Sequence, residues 1–420
     1  MTSKALFLST TALVLPFIAT EAVAGAFALR EQSAESQGVS FAGAAAPGHG
    51  PSAMFWNPAT ITAHKGLVAE NGLSLIAPHA TFETDPAQSP LAASGFGNGG
   101  DVGIAAWLPS FYAAFEAQDG LHLGLSVNAP FGLGTKADTP WVGQTDHLEA
   151  GMQAIAVTPV AAWKINDMVS IGAGVTLQHA SVELSRMPMI GPSTFGVGKI
   201  EGSDLDIGAV AGITLTPWEG TEIGLGYRSP ISHALDGTQT LRTTSGAVLS
   251  RQDITAEVTV PETVTLGLRQ KISDRFTLLG GAEWANWDRI GTVPVVADDG
   301  RTTSLLDFQY ADGWFLSVGG EYAATDRLTL RSGVAYEWSP VQDAHRSMRL
   351  PDDDRFWLSV GASYEATDAL SIDVAYTRIL VSDSGIAMPG NPATGMVGYG
   401  GDLEASVDIL TAAVRYRFGG

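Results

Sequence analysis

From about Gly66 to its last residues the chain is a series of segments of roughly ten residues in which apolar and polar side chains alternate, with turn residues between them. The last segment is the clearest. Leu410, Ala412, Val414, Tyr416 and Phe418 share one face, and Thr411, Ala413, Arg415 and Arg417 the other, because a period of two sends successive side chains to opposite sides of a strand. The pattern returns at Leu328–Tyr336, Phe356–Tyr364 and Ile372–Thr377. No stretch after residue 24 offers the apolar run of about 20 residues that a spanning helix needs. Forty-nine glycines and only 16% charged residues fit poorly with a soluble acidic enzyme. A membrane protein without spanning helices has to close its strands into a barrel, since only closure satisfies every backbone group in lipid. Arginine on the lipid face at mid-bilayer costs about 2–4 kcal/mol, so the basic face of the last segment belongs in the lumen or near an interface.

The amino end reads as an export signal. Lys4 precedes an almost uncharged run from Ala5 to Ala19, interrupted by Pro16, and Glu21 leads to Ala22-Val23-Ala24, a small-x-small cleavage pattern. Residues 1–24 are therefore expected to be a signal peptide, cut between Ala24 and Gly25. The chain contains no cysteine. A lipoprotein anchor is excluded, and stability has to come from burial or closed hydrogen bonding instead of disulfides. The net charge of −21 argues against nucleic acid, whose phosphates require a basic surface, and is met by acidic loops in water.

Turns come in two kinds. Short polar ones lie at Asp119-Gly120, Asn166-Asp167, Pro217 to Gly220, Ser273-Asp274, Thr325-Asp326 and Thr367-Asp368. Between them run long connections, about Phe131–Glu149, Met187–Gly202, Leu235–Asp253, Asp288–Asp312, Trp338–Asp354 and Val381–Ala405. Short turns on one side and long loops on the other match periplasmic and extracellular ends. The expectation is an all-β fold, a transmembrane antiparallel barrel of about fourteen strands over residues 66–420. Residues 25–65 lack the wall pattern and carry the aromatic cluster Met54-Phe55-Trp56-Asn57-Pro58. Such a cluster is awkward in a solvated tail, so this segment is expected to fold inside the barrel as a hatch, with disorder as the alternative.

Other motifs carry little chemistry. Gly95-Phe96-Gly97-Asn98-Gly99-Gly100 satisfies G-x-G-x-x-G but lacks the strand and helix of a nucleotide site, and reads as a flexible loop. Asp352-Asp353-Asp354 follows Pro351 without an EF-hand pattern, and reads as solvated loop. The eight histidines show no metal-ligand spacing and no G-x-S-x-G elbow occurs. No metal, cofactor or catalytic residue is expected, and a barrel enzyme of lipase or protease type stays as the distant alternative.

In order and spacing the chain resembles the FadL/TodX (OmpP1) family of outer-membrane transporters of hydrophobic compounds. The resemblance rests on Gly25 to Ser33, on Phe41 to Ala46 followed by Asn57-Pro58-Ala59, and on Ala129-Pro130-Phe131-Gly132-Leu133. It continues in Gly226 to Pro230 and Glu283 to Trp287, and most specifically in Arg349-Leu350-Pro351-Asp352-Asp353-Asp354-Arg355-Phe356-Trp357-Leu358-Ser359-Val360-Gly361. It implies a monomeric barrel in the outer membrane, beside lipid and lipopolysaccharide, with an amino-terminal hatch. It also implies a ligand groove between two extracellular loops and a kinked third strand that lets a long-chain fatty acid leave sideways. A lateral exit suits an acyl chain, which loses about 0.8 kcal/mol per methylene exposed to water. The chain departs from the pattern in ending Phe418-Gly419-Gly420, and in carrying Ser181 and Pro294 where the resemblance implies basic residues.

Three sets of site residues follow. Phe55, Trp56, Asn57, Pro58 and Ala59 are expected to form the gate beside the third-strand kink, or else only a structural turn. Phe131, Leu133, Trp141, Met187, Met189, Ile190 and Phe195 supply apolar surface for capture, with loop packing as the alternative. Alternation turns Arg228 and Arg331 to the lumen, where a guanidinium either holds a carboxylate through paired hydrogen bonds or joins wall ion pairs with acids such as Glu283 or Asp373. The ligand is a long-chain fatty acid, with a neutral aromatic hydrocarbon as the alternative.

Overall fold

The structure is a computed structural model that describes residues 26–419; the expected signal peptide and its cut at Ala24 and Gly25 lie outside the described residues. Fourteen antiparallel staves close into a barrel. They are β1 (Leu67–Thr84), β2 (Ala106–Gln118), β3 (Leu121–Lys136), β4 (Glu149–Lys164), β5 (Val169–Arg186), β6 (Thr194–Trp218), β7 (Thr221–Arg228 and Ile231–Thr243) and β8 (Val248–Val260 and Thr263–Lys271). The ring continues with β9 (Phe276–Ala285 and Thr292–Ala297), β10 (Thr302–Asp307 and Gly313–Ala323), β11 (Leu328–Trp338), β12 (Arg355–Glu365), β13 (Leu370–Val381 and Ser384–Met388) and β14 (Tyr399–Phe418). Each stave pairs with its sequence neighbours, and β14 returns to β1 in register from Leu67↔Phe418 to Thr84↔Gly401.

The alternation read from the sequence sorts the two faces. Leu410, Val414, Tyr416 and Phe418 are exposed, while Thr411, Ala413 and Arg415 are buried toward the lumen. Exposed Trp107, Trp163, Trp218, Trp314 and Tyr364 belong to the outward rows, where aromatic side chains suit the membrane interface. Strands continue well into the expected long loops: β5 reaches Arg186, β6 starts at Thr194 and β7 runs to Thr243. Above the membrane both faces of a strand meet water, so the apolar–polar alternation that marks a wall segment fades although the backbone ladder does not.

Four adjacent staves break at one level. Ser229-Pro230 interrupts β7, Pro261-Glu262 interrupts β8, Asn286–Gly291 interrupts β9 and Phe308–Asp312 interrupts β10. Proline has no N–H for the ladder, and Glu262 takes over part of the lost bonding by accepting from Asn286 and Arg289.

A different interruption leaves the wall unpaired. The β1–β2 ladder extends to Ile76↔Ala106, but the β2–β3 ladder stops at Phe111↔Val127. The β3–β4 register slips between Asn128 and Phe131, across Ala129-Pro130. Upper β2 and upper β3 are therefore not bonded to each other.

Candidate functional site

The site is built on residues 26–64, nearly all of which are buried. Ser33 caps the single helical turn α1 (Ala34–Gln37) by accepting from the Ser36 N–H, and Asn57 caps a second turn at Pro58–Ala63 through the Ala59 N–H. Glu35 on α1 is the centre of a buried charge network. Its oxygens meet Arg331 of β11 at 3.2 Å and Arg415 of β14 at 2.7 Å. Glu321 of β10 in turn holds Arg331 at 2.8 Å and Arg269 of β8 at 2.7 Å. Burial alone would raise the Glu35 carboxyl, but Arg415 and Arg331 outweigh it and hold it well below the usual carboxylate range.

The wall makes room for this backbone by omitting side chains. A Cβ on Gly333 would lie 2.2 Å from the Val39 carbonyl carbon, and one on Gly224 would lie 1.8 Å from the Ala45 oxygen. Arg30 pairs with Glu283 and, at 3.1 Å, with Glu337.

Residues 27–32 lie against β3 where the wall is open. The Leu29 N–H donates to the Pro130 carbonyl at 2.9 Å, the Gly132 N–H to the Phe27 carbonyl at 2.9 Å, and Gln32 Nε2 to the Ala129 carbonyl at 2.8 Å. These bonds replace ladder bonds that β2 does not supply. Leu29, Ala129, Ala106, Leu108, Ile76, Phe41 and Trp56 share one buried apolar cluster there. Glu31, two residues after Leu29, is 2% exposed, and one of its carboxylate oxygens has no hydrogen-bond partner among the described residues.

The expected gate residues take other positions. Asn57 Nδ2 donates to the Ala45 carbonyl at 2.7 Å and to the Ile213 carbonyl of β6 at 3.0 Å. Pro58 and Ala59 back onto Gly172 of β5. Asn57, Pro58 and Ala59 thus bond to β5 and β6, and the backbone freed at the β3 break is taken by residues 27–32 instead. Phe55 and Trp56 do reach the apolar cluster beside the break.

The capture residues do not form one groove. Phe131 and Leu133 are buried on upper β3 with Phe27, Met152, Trp287 and Leu350. Trp141 is fully buried in a separate cap with Phe82, Met348 and Tyr399. Met187 and Met189 bond through their backbones to Gln144 and Gly395, Ile190 is exposed, and Phe195 stacks on Phe96. They divide because β3 carries Phe131 and Leu133 as inward wall residues, whereas residues 187–195 stand beyond the membrane. The Gly95–Gly100 segment is not a free loop: Gly97 pairs with Trp141, whose ring packs against Gly99.

Arg331 is committed to Glu321 and Glu35, and reaches Asp373 only through Ser363. The expected acid Glu283 belongs to Arg30. Arg228 has no carboxylate within ion-pair distance among the described residues. It donates to the Phe55 carbonyl at 2.8 Å and lies 4.5 Å over the Phe55 ring. Asp352 is fully buried, not solvated, and accepts from the Ala26 N–H, from Ser339 and from Arg355. Arg355 is the basic residue that sequence reasoning did not single out. It is 1% exposed, its Nη1 lacks a partner, and it lines a narrow cavity with Pro78, Ala80, Thr135, Val381 and Val407. Its position as the first inward residue of the alternating strand β12 was the available signal.

His233 sits between Asp204 and Gln178, with Nδ1 3.0 Å from the Asp204 carboxylate and Nε2 2.9 Å from Gln178 Nε2. Among the described residues no group of three acidic or imidazole side chains could hold a metal ion.

A family model described as outer membrane protein transport protein (OMPP1/FadL/TodX) matches residues 15–418. A long-chain fatty acid transport protein of Salmonella typhi is 23% identical, covering 89% of this chain and 92% of its own. The crystal structure of a Pseudomonas aeruginosa FadL homologue superposes with a TM-score of 0.86 at 24% identity, over 94% of this chain and all of that one. The Ralstonia pickettii toluene transporter TbuX gives 0.68 at 20% identity, over 94% and 99% of the two chains.

Proposed function

The chain belongs to the OMPP1/FadL/TodX family of outer-membrane transport proteins, and from that premise we propose that its cargo is a long-chain fatty acid, released sideways through the break between β2 and β3. Residues 26–64 act as the hatch, and the contacts of residues 27–32 with β3 are its moving part. The observation that carries the cargo is Arg355: a buried guanidinium with an unpaired Nη1, lining a cavity whose other walls are mostly apolar. An unmet buried donor costs about 1–3 kcal/mol, and a ligand carboxylate arriving there meets it with a charge-assisted bond. Arg228 is a second cation on the inner face. The protein works as a monomer, and lipid and lipopolysaccharide surround it.

The aromatic lining favours a second cargo. Phe41, Phe315 and Trp357 pack edge to face against one another, with centroids 5.6–6.4 Å apart, an aromatic cluster whose rings suit packing against a small aromatic hydrocarbon. Uptake of oleate and of toluene by cells lacking the protein, with and without the full chain restored, separates the two. Oleate uptake that depends on the chain is the expected result; dependence for toluene alone assigns the aromatic cargo. Arg355→Gln lowers oleate uptake about tenfold while toluene passage holds, and equal loss of both marks damage to the fold.

A further inference from the structure

Glu31 sits where the wall is open. On one side its carbonyl accepts from Ser74 Oγ of β1 at 3.2 Å. Ser74 stands opposite Leu108, in the upper length of β2 that has no ladder to β3. On the other side Leu29 and Gln32 bond to the Pro130 and Ala129 carbonyls of β3. Around this break Ile76, Ala106, Leu108 and Ala129 are buried apolar residues of one cluster. Glu31 thus brings a nearly fully buried carboxyl, one oxygen of it unmet among the described residues, to the break. The segment that carries it has to part from β3 before anything passes sideways.

The charged groups that act on Glu31 come from three elements. Arg30 of its own segment is committed to Glu283 and Glu337, Glu337 of β11 also accepts from Trp357, and Arg355 of β12 is held by Asp352. From β1, β2 and β3 come Ser74, Tyr112 (which bonds to Gln32) and Ala129, none of which carries charge at neutral pH. Burial pushes the Glu31 carboxyl up to about 7; its own backbone N–H, Arg30 and Arg355 oppose the rise and Glu337 adds to it.

A fatty acid meets a chemical step at this place. Its head is ionised in neutral water, and an ionised carboxylate loses its solvation in hydrocarbon whereas the neutral acid loses far less. Release sideways into lipid therefore needs one proton per ligand. The burial that raises Glu31 also raises a ligand carboxylate drawn into the apolar break, so the two acids approach a match. We propose that Glu31 is the proton donor for release, handing its proton to the ligand's carboxylate as the head enters the break between β2 and β3. The O–H bond of Glu31 breaks, one forms on the ligand, and the ligand leaves as the neutral acid. Glu31 remains as a buried carboxylate without a partner, which is unfavourable, so the same transfer loosens residues 27–32 from β3. Water reprotonates Glu31 once the segment has moved. This role rests on the fatty-acid reading above.

Initial uptake of oleate and of oleyl alcohol, which needs no proton, is measured over a concentration series in cells carrying wild type, Glu31→Gln or Glu31→Asp. Each variant is checked for the folded barrel by heat-modifiable migration. At about pH 6, Glu31→Gln lowers the maximal oleate rate by about tenfold or more, with the half-saturating concentration and the alcohol unchanged; Glu31→Asp falls between. The wild-type oleate rate holds up to about pH 7 and falls above it, while the Glu31→Gln rate already falls from about pH 5, where less of the ligand arrives neutral. An oleate rate in Glu31→Gln equal to wild type, equal loss of both compounds, or a change in the half-saturating concentration alone overturns the proton role and leaves the fatty-acid reading standing. Absence of chain-dependent oleate uptake in the wild type itself defeats that reading, and the role with it.

Discussion

Glu31 is the residue whose chemistry is most at odds with its surroundings. Burial pushes its carboxyl up to about 7, against the opposing pull of its own backbone N–H and of Arg30. Because folding raises this acid above its ordinary value of 4.5, ionisation favours the unfolded segment. Stability contributed here falls as pH climbs from about 4.5 to about 7 and then levels off, by on the order of 3 kcal/mol in all. Protection factors of the residue 27–32 amides, with the intrinsic base catalysis of exchange divided out, should therefore be lower at pH 8 than at pH 5, and Glu31→Gln should remove most of that difference; an equal pH response in both proteins contradicts this. Glu35→Gln is expected to weaken hatch anchoring by about 3–5 kcal/mol, since Arg331 and Arg415 lose their shared partner, and to expose the segment to added protease. At this scale the sequence told which way a side chain faces but not whom it meets. Arg331 and Arg415 were legible as inward from the period of two. Their common partner lies about 300 and 380 positions away, and nothing local encodes that pairing. Asp352 looked like solvated loop for the same reason: although Arg355 is local, the Ala26 N–H that meets the carboxylate inside the barrel comes from 326 positions away.

Among the elements, the wall was the legible part. Fourteen staves, six short turns and an inward basic face on β14 all follow from alternation and turn residues, because lipid imposes the same rule on every strand. The extensions beyond the membrane were not legible, since no such rule acts there, and the capture residues were consequently grouped by sequence distance and found in three places. The break in β3 is where an element becomes mechanical. Ala28 and Phe131 form an isolated antiparallel bridge, close enough for a disulfide, and the chain has no cysteine to interfere. Ala28→Cys with Phe131→Cys should lose oleate uptake when oxidised and recover it on reduction. Uptake that is the same in both states would show that this contact does not have to part. Gly333→Val sets a side chain into the Val39 backbone; the barrel is expected to form and the hatch to become protease-sensitive, while Gly280→Ala, which meets nothing within 4 Å, leaves both unchanged.

For the whole molecule, residues 26–64 are tied to the wall by ion pairs from α1 and Arg30 that reach β9, β11 and β14. Deleting residues 27–59 should leave a β-rich barrel that conducts small ions across a planar bilayer, whereas the full chain conducts far less; equal conductance would mean the lumen is sealed elsewhere. The seam of the ring has a consequence for the time before the protein works. All 18 residues of β1 pair with β14, so the first stave delivered to the periplasm waits for the last before its outer edge is covered. Until then an open edge of that length is a template for any passing strand. The yield of this protein is thus decided during transit, by how quickly the tail follows the head and by what escorts the chain meanwhile, and a delay in the final twenty residues should be more damaging than the loss of any single contact in the finished ring.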